Sequence, residues 1–322
     1  MSFRFLWITD PWETLDHVND TTLRLIQESI ELGFHNDWAN VRSMRWDGSK
    51  VCVDAVHMIL RGDRLSHGKI YLKINPHEFD QIHYRVDPPV NHAYIHPLQL
   101  LLLSRPTGRR DRNISSKIVN PAKILLISNE KMEAAFLDHL MPPSVISSEK
   151  EILLSFIKRH KKAVMKPLHE AQSNGVERLE TDSHSMSLLK KMTHQFSQPI
   201  ILQKYLDGIV KGEQRLWFID GRLLAHAKKI PKTGDFRINM DQGGTLAIAP
   251  LSVKEKSASE KIGLWLKARK IRLAAVDLID GFVTDFNFTS PGLLVQMEKL
   301  LKRNLAREII LKLVLRMILI IL

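Results

Sequence analysis

The chain of 322 residues contains a single cysteine, Cys52, which excludes intramolecular disulfides and cysteine-based zinc or iron–sulfur sites. Cys52 lies in a predicted strand, where we expect it to be inert packing. The sequence also lacks a run of about 18 uninterrupted apolar residues of the kind that spans a membrane. Residues 1–7 lack the long apolar core of a signal peptide. We therefore expect a cytoplasmic protein without a transmembrane segment.

Aromatic residues make up only 7% of the chain, and we find no helix-turn-helix, RNP or zinc-finger pattern. The chain is nevertheless basic, with 47 Lys and Arg against 35 Asp and Glu, a net charge of +12 and a pI of about 9.7. Three interpretations remain: a nucleic-acid binder, an enzyme that handles polyanions such as ATP and carboxylates, and a basic surface kept for solubility. We favour the enzyme and expect no nucleic-acid partner.

Hydrophobic periodicity and turn residues divide the chain into short strands and helices, as in a globular α/β protein. Strands are predicted at residues 3–9, 50–60, 69–74, 79–85, 116–121, 163–165, 200–202, 214–219, 223–229, 273–279 and 282–287. Helices are predicted at residues 21–32, 130–140, 149–160 and 257–270, with a solvated loop at residues 105–112. A strand, a helix and a terminating glycine in this order predict that the chain begins with an α/β domain.

Two lysines stand out by their position in these elements. Lys131 is predicted to open a helix directly after a loop, and Lys166 ends a strand. A lysine in such a place projects into the space between elements, where phosphate oxygens bind well. The alternative for each lysine is an ordinary solvated side chain.

The sharpest acidic cluster flanks the predicted hairpin turn at Asp280 and Gly281. Asp277 precedes the turn, and Asp285 and Asn287 follow it on one face of the next strand, because side chains alternate along a strand. Oxygen ligands aimed at one point from neighbouring strands suit Mg²⁺. The alternative is a hairpin with two surface acids, but apolar flanks favour the metal site.

A second polar region begins at residue 212 and places an acid and an arginine on one strand face. Basic groups there suit a carboxylate or an acyl phosphate, although an exposed basic loop is an equal alternative. The residues concerned are Glu213, Arg215, Lys228, Lys229, Arg237 and Asn239. The histidines show no ligand spacing such as His-Glu-x-x-His, and we assign none of them to a metal.

Eight short motifs then occur in the order of the bacterial glutathione synthetases, which are ATP-grasp ligases. They are Arg85-Val86-Asp87-Pro88-Pro89, Ile118-Val119-Asn120-Pro121, Asn129-Glu130-Lys131, Met165-Lys166-Pro167-Leu168, Gln203-Lys204-Tyr205-Leu206, Ile230-Pro231, Gly243-Gly244 and Asp285-Phe286-Asn287-Phe288-Thr289-Ser290-Pro291-Gly292. Each motif is short, but their order and similar spacing make the chain resemble this family from residue 3 to about residue 312.

The resemblance implies a fold of α/β and α+β class. An N-terminal pre-ATP-grasp α/β domain at residues 1–122 would precede a two-lobed ATP-grasp fold, with its small lobe at 123–202 and its C-terminal lobe at 203–322. The implied enzyme uses ATP and Mg²⁺, or Mn²⁺, to phosphorylate the carboxylate of γ-glutamylcysteine, and the amine of glycine displaces the phosphate. The partners are then small peptide and amino-acid substrates, and a homo-oligomer is left open.

The resemblance also implies roles for individual residues. Catalytic roles fall to Arg237, Arg215 and Lys229. Nucleotide binding falls to Lys131, Lys166, Gln203, Tyr205, Leu206, Glu213, Asn174 and Gly175. Substrate binding falls to Arg85, Asn239 and Ser290, and metal binding to Asp277, Asp285 and Asn287.

Three positions depart from the family pattern. The loop at residues 169–175 has Glu170 where the family has a glycine-rich lid over the phosphates, and Asp285 stands in place of a glutamate. Lys302-Arg303 replaces a small turn that contains glycine. These departures keep three functions open: a glutathione-type ligase, an ATP-grasp ligase with another peptide or protein acceptor, and a nucleotide-binding protein without turnover.

The C-terminal stretch, residues 309–322, is apolar except for Lys312 and Arg316, which share a helix face. We favour a helix that packs on the body of the protein or is buried in a dimer. A membrane-surface helix is the alternative.

Overall fold

The computed structural model describes residues 3–106, 113–137, 139–170, 174–238, 240 and 243–321. Three β-sheets with flanking helices make up this part of the chain. The mixed α/β architecture confirms the predicted fold class, while the three domain boundaries stay a prediction.

The first sheet has the strand order β3-β4-β2-β1-β6-β7, with β5 paired to β4. Its strands are β1 (Arg4–Thr9), β2 (His35–Asn40), β3 (Arg45–Trp46), β4 (Val51–Arg61), β5 (Arg64–Ile74), β6 (Gln81–Tyr84) and β7 (Ile118–Val119). The helices in this region are α1 (Thr21–Glu31), α2 (His92–Leu103) and α3 (Ala122–Ile127). Strand β1 runs parallel to β2 and β6, which is the arrangement expected of an α/β domain.

The second sheet is antiparallel and has the order β10-β9-β11-β8. It consists of β8 (Ser144–Ser147), β9 (Ala163–Lys166), β10 (Glu177–Leu179) and β11 (Ile200–Lys204), with helices α4 (Lys150–His160) and α5 (Ser183–Met192). Leu153 and Ile157 of α4 pack on Met165 and Leu202 in a core of its own. This separate core gives the sheet a small hydrophobic unit that carries Lys166 at a strand end.

The third sheet is also antiparallel, with the order β14-β13-β12-β15-β16. Its strands are β12 (Glu213–Ile219), β13 (Arg222–Ile230), β14 (Thr245–Ala247), β15 (Leu273–Ile279) and β16 (Phe282–Asn287). The helices are α6 (Val253–Ala268), α7 (Leu294–Leu301) and α8 (Leu305–Ile321). The predicted hairpin turn is confirmed, and Asp280 and Gly281 take the positive φ values that a tight turn needs.

The first and third sheets share their hydrophobic core. Leu6 and Ile8 of β1 belong to the same buried cluster as Leu216 and Phe286, whereas Phe5 on the opposite face of β1 belongs to a second cluster. Asn120 joins the two sheets by polar contacts as well. Its Nδ2 donates to the carbonyls of Leu273 (2.7 Å) and Phe288 (2.8 Å), and its Oδ1 accepts from the backbone N–H groups of residues 272 (2.8 Å) and 273 (2.9 Å).

The predicted helix at residues 130–140 is wrong. This segment forms turns and a short 3₁₀ helix, Glu133–Phe136, and Lys131 lies in a turn rather than at a helix start. The reason is that strand β16 ties both ends of the segment, because the backbone N–H groups of Phe286 and Val283 donate to the carbonyls of Glu130 (3.2 Å) and Leu140 (2.8 Å). A helix would need the Glu130 carbonyl for the N–H group four residues later.

The C-terminal stretch forms the helix α8, as expected. Leu305, Ile309 and Leu313 are buried in the second core cluster, and α8 contacts α1. This buried face supports the packing interpretation. None of the described helices combines the length and the hydropathy that a membrane span requires.

Candidate active site

A cleft of about 770 Å³ lies where the second and third sheets meet the loops of the first. Its wall carries most of the residues singled out from the sequence: Arg85, Lys131, Lys166, Asn174, Gln203, Tyr205, Leu206, Glu213, Arg215, Lys229, Arg237, Asp277, Asp285, Asn287 and Ser290. The structure therefore brings together side chains from widely separated motifs. Their roles stay predictions.

Three residues singled out from the sequence are not found on this wall: Gly175, Lys228 and Asn239. Gly175 lies outside it, with a φ of 68°, and its Cα faces Pro167 and Met192. A Cβ there would come within 2.7 Å of the proline ring, so that close packing requires a glycine, and its nucleotide-binding role stays a prediction. Asn239 falls outside the described residues.

Asp277 and Asp285 face each other across the antiparallel pair β15–β16, because a register shift between Asp277 and Leu278 brings Asp285, rather than Thr284, opposite Asp277. Both oxygens of Asp277 are already engaged. Arg215 donates from Nε to Oδ1 (2.8 Å) and from Nη2 to Oδ2 (2.6 Å), and Lys229 lies 3.2 Å from Oδ2. Burial alone would raise the pKa of Asp277, but the two cations outweigh it and hold that pKa well below its usual range. The sequence alone did not reveal that Asp277 is the counterion of two cations.

Asp285 and Asn287 differ from Asp277 because their side chains retain free polar atoms. Within the part of the chain that the structure describes, Asp285 Oδ1 and Asn287 Nδ2 are buried without a hydrogen-bond partner. A buried carboxylate oxygen without a partner is costly unless a cation or donor meets it. The donor set of carboxylate and amide on one strand face therefore fits a hard divalent cation.

Lys131 reaches the cleft from a turn, and Lys166 reaches it from the end of a strand. Lys166, at the end of β9, donates to the carbonyl of Thr284 (2.7 Å), and Lys131 donates to the backbone carbonyl of Glu170. Burial lowers the pKa of Lys166, an effect that the nearby carboxylates of Asp285 and Glu213 oppose. Both ammonium groups hold neutral acceptors and retain further N–H donors.

Strands β12 and β13 supply the other basic groups. Glu213 and Lys229 are register partners and form an ion pair, and Thr284 donates to the second oxygen of Glu213 (3.3 Å). Because Lys229 also contacts Asp277, these side chains form one buried network with Arg215. The network fixes two cations at the floor of the cleft.

One end of the cleft is apolar. Ile209, Ile238 and Ile279 are buried there, with Tyr205, Leu206 and Phe236 packed against them. This end suits a flat, uncharged ring, and the buried Gln203 lies on the same wall. Arg237 is more exposed, within 3.4 Å of Asp235 and 3.9 Å of Glu177.

The opposite end of the cleft belongs to the first sheet. Arg85 is 5% exposed and donates from Nε to Thr22 Oγ1 (3.1 Å) and from Nη2 to the carbonyl of Pro291 (3.0 Å). Burial lowers its pKa, whereas Asp20 and Asp87 oppose the effect. Ser290 lies close by, with Oγ 3.5 Å from the carbonyl of Arg85.

Sequence reasoning missed several acids on the cleft wall, among them Asp87 and Glu130. Burial raises the pKa of Asp87 to about 6. Burial, together with the charge of Asp285, raises the pKa of Glu130 to about 7, although Glu130 accepts bonds from the backbone of Phe288 (2.6 Å) and Thr289 (2.8 Å). Each acid lies inside one of the quoted motifs, close in sequence to Arg85 or Lys131. That proximity to a predicted site residue was the signal that could have identified it.

Comparison with known families identifies this arrangement. The family model for the prokaryotic glutathione synthetase ATP-grasp domain matches residues 130–302, and the model for the N-terminal domain matches residues 3–114. The chain belongs to the prokaryotic glutathione synthetase family. The resemblance drawn from the eight motifs is thereby confirmed.

Relatives within the family cover most of the chain. It is 27% identical over 312 residues to the glutathione synthetase of Prochlorococcus marinus subsp. pastoris, which covers 96% of this chain and 98% of the relative. It is 31% identical over 215 residues to that of Nitrosomonas europaea, which covers 66% and 65%. The protein is therefore an ATP-dependent carboxylate–amine ligase that resembles glutathione synthetase.

Solved structures show the same fold at low sequence identity. The crystal structure of the D-cycloserine synthetase DcsG is similar with a TM-score of 0.65 at 14% identity, and covers 97% of this chain and 99% of that one. D-alanyl-alanine synthetase A of Vibrio cholerae is similar with a TM-score of 0.58 at 11% identity, covering 94% of each chain. The fold is thus that of ATP-grasp ligases.

Proposed function

We propose that the protein joins the carboxylate of γ-glutamylcysteine to the amine of glycine, with Mg²⁺ and ATP. The relatives named glutathione synthetase support the choice of substrates. The observation that carries the proposal is the cleft itself, in which lysines 131 and 166, the pair Arg215–Asp277 and the free oxygen of Asp285 line one space with an apolar end.

The reaction needs two transfers at this cleft. The substrate carboxylate attacks the γ-phosphorus of ATP, which forms an acyl phosphate and releases ADP. The glycine amine then attacks the acyl carbon, the C–O bond to phosphate breaks, and the amine loses a proton as the amide forms. Most of the protein's work in such a sequence is positioning and charge stabilisation.

The chain's residues divide that work by their surroundings. The apolar end around Tyr205 and Ile209 binds the adenine ring, and the ammonium groups of Lys131 and Lys166 bind phosphate oxygens. Asp285 and Asn287 hold Mg²⁺, which neutralises phosphate charge when bound. We assign Arg215, Lys229 and Arg237 to the acyl phosphate, because guanidinium and ammonium groups stabilise developing negative charge.

The opposite end of the cleft holds the acceptor. The buried guanidinium of Arg85, beside Ser290, suits a substrate carboxylate. The neighbouring acids Asp20 and Asp87 on the same wall suit a substrate ammonium group. A γ-glutamyl group carries both charges on one carbon, so that it matches this end of the cleft.

The lid loop at residues 169–175 is a part of the site that departs from the family pattern. Glu170 lines the cleft, and its backbone carbonyl accepts from Lys131, while residues 171–173 lie outside the described residues. Glu170 slows turnover more than it weakens nucleotide binding, because a carboxylate in the lid repels phosphate when the lid closes for the transfer. Glu170→Gly should then raise kcat and leave the ATP affinity nearly unchanged.

The test combines turnover with nucleotide binding. ADP release is measured with γ-glutamylcysteine, glycine and Mg²⁺, with each amino-acid substrate omitted in turn. Calorimetry with a non-hydrolysable ATP analogue then compares Lys131→Ala and Lys166→Ala with Lys158→Ala, an exposed lysine of α4. Each cleft variant should bind about ten- to a hundredfold more weakly, since a charge-assisted contact contributes roughly 1.5–3 kcal/mol.

Two outcomes would contradict the proposal separately. Unchanged affinity in both cleft variants would remove the phosphate role of the lysines. Tight ATP binding without ADP release on γ-glutamylcysteine and glycine would leave the nucleotide site in place and reject the substrates.

A further inference from the structure

Three metal-ligating side chains meet on one face of the first sheet, outside the cleft wall. His35 and Asp37 are two residues apart on β2 and therefore point to the same face. His57 of β4 is the antiparallel register partner of Asp37. Spacing along the chain could not reveal this group, because the register of two strands brings His57 to the other two.

The donor atoms are separated by distances that suit a shared ion. Asp37 Oδ1 lies 3.1 Å from His35 Nε2 and 3.2 Å from His57 Nδ1, and the three atoms lie within 4.8 Å of one another. Ligand bonds of roughly 2.0–2.1 Å place neighbouring donors about 2.9–3.4 Å apart at octahedral to tetrahedral angles. The two measured separations fall inside that range.

The carboxylate is fixed in the orientation that such a site needs. Arg4 of β1 donates to Asp37 Oδ2 from Nε (2.8 Å) and Nη2 (2.6 Å), which leaves Oδ1 directed toward the imidazoles. Asp37 is fully buried, whereas the side chains of His35 and His57 are 34% and 27% exposed. An ion therefore has an approach from solvent and space for water as a further ligand.

We propose that His35, Asp37 and His57 form a binding site for a divalent transition-metal ion that prefers imidazole ligands, with Zn²⁺ as the reference ion. Two imidazole nitrogens and one carboxylate oxygen select such ions over Mg²⁺ and Ca²⁺. The site lies apart from the described cleft wall. The ion therefore takes no part in amide-bond formation and instead links β2 to β4.

Binding replaces contacts that the metal-free protein makes. Without an ion, the ring nitrogen of His57 also lies 3.1 Å from the carbonyl of Asn36, and the rings of His35 and His57 stack with centroids 4.0 Å apart. One ring nitrogen on each histidine must present its lone pair, and the rings must turn out of the stack. Their partial exposure leaves room for that rotation, while the guanidinium of Arg4 moderates the affinity.

The experiment is a calorimetric titration of EDTA-stripped, full-length protein with ZnCl₂, without nucleotide and with excess Mg²⁺ to cover oxygen-ligand sites. A second histidine pair, His92 and His96, stacks one helical turn apart on exposed α2 and is itself able to bind zinc. All proteins therefore carry His92→Ala and His96→Ala. In this background we compare the native cluster with His35→Gln and His57→Gln.

Glutamine has an N–H group that can donate to Asp37, but it has no imidazole nitrogen. Each variant therefore keeps the hydrogen bond of the metal-free protein and loses the metal ligand. We expect one equivalent of zinc to bind the native cluster and to raise Tm. Each glutamine variant should bind it more than about a hundredfold more weakly, since even outer partners of a ligand contribute ten- to a hundredfold. Equal binding by all three proteins, or no binding by the native cluster at a large molar excess of zinc, would overturn the proposal.

Discussion

The free energy of unfolding of the wild-type protein should fall as the pH rises from 5 to 8, and replacing Glu130 with glutamine should make that fall shallower. The Glu130 carboxylate is partly buried beside Asp285, and these two causes raise its pKa to about 7. The folded protein therefore holds this proton at a pH where the unfolded chain has released it. Because the folded state binds more protons in that window, the free energy of unfolding falls as the pH rises.

The size of the effect follows from the two pKa values. The ordinary value of 4.5 and the value of about 7 in the folded protein correspond to about 3.4 kcal/mol in total at 1.36 kcal/mol per pH unit. About 2.5 kcal/mol of this falls between pH 5 and pH 8, as an upper figure for a partly buried group. Asp87, whose pKa is raised to about 6, acts in the same direction and remains in the variant. The slope should therefore become shallower without vanishing.

Urea denaturation followed by circular dichroism, at several pH values between 5 and 8 and in EDTA, measures the difference. Glutamine preserves the oxygen that accepts from Phe288 and Thr289, so that the fold around β16 is retained. Glu151→Gln, on the exposed face of α4, is the matched control and should parallel the wild type. Parallel pH profiles for the wild type and Glu130→Gln would show that Glu130 titrates normally, and would refute the reasoning.

Three further substitutions probe contacts that hold the cleft together. Arg215→Ala should lower the free energy of unfolding by about 3–5 kcal/mol, because it leaves the Asp277 carboxylate buried beside one remaining ammonium group; urea denaturation against Arg215→Lys checks this. Asn120→Ala removes four hydrogen bonds between buried groups and should cost about 3 kcal/mol or more in the same assay. Gly212→Ala should lower Tm more than Gly234→Ala, because both have positive φ but only the first brings a Cβ within 2.3 Å of a carbonyl oxygen of β13.

The cleft was predictable because its residues sit in short local motifs at strand ends and hairpins. Alternation along β16 places Asp285 and Asn287 on one face whatever the rest of the chain does. The Asp280-Gly281 turn follows from its own residues and pairs Ile279 with Phe282, although a register shift next to Asp277, which no local rule predicts, is what brings Asp285 opposite that residue. Local rules of this kind do not depend on distant contacts, which is why they held.

Other elements escaped prediction because distant contacts decide them. Strand β2 is rich in polar residues, yet Asn36 and Asp37 are buried. Asn36 accepts a hydrogen bond from Trp7 Nε1 (2.8 Å), and Asp37 forms an ion pair with Arg4. A hydrophobic pattern cannot reveal a strand whose interior is satisfied by hydrogen bonds. Lys302 adopts a φ of 51°, a left-handed conformation that favours glycine. The family pattern has a glycine in this turn.

The cations of the cleft also explain which residues can exchange partners when ATP arrives. Those that are buried or half-buried already contact an oxygen of their own chain, because buried charges need partners. Lys131 and Lys166 contact neutral backbone carbonyls, which lose little when a phosphate oxygen takes over the ammonium group. Arg215 contacts Asp277 through two charge-assisted bonds, and breaking them would leave a buried carboxylate with one partner. Under the proposed function we therefore expect the two lysines to move to the nucleotide, and Arg215 to stay in place to meet the charge that develops later.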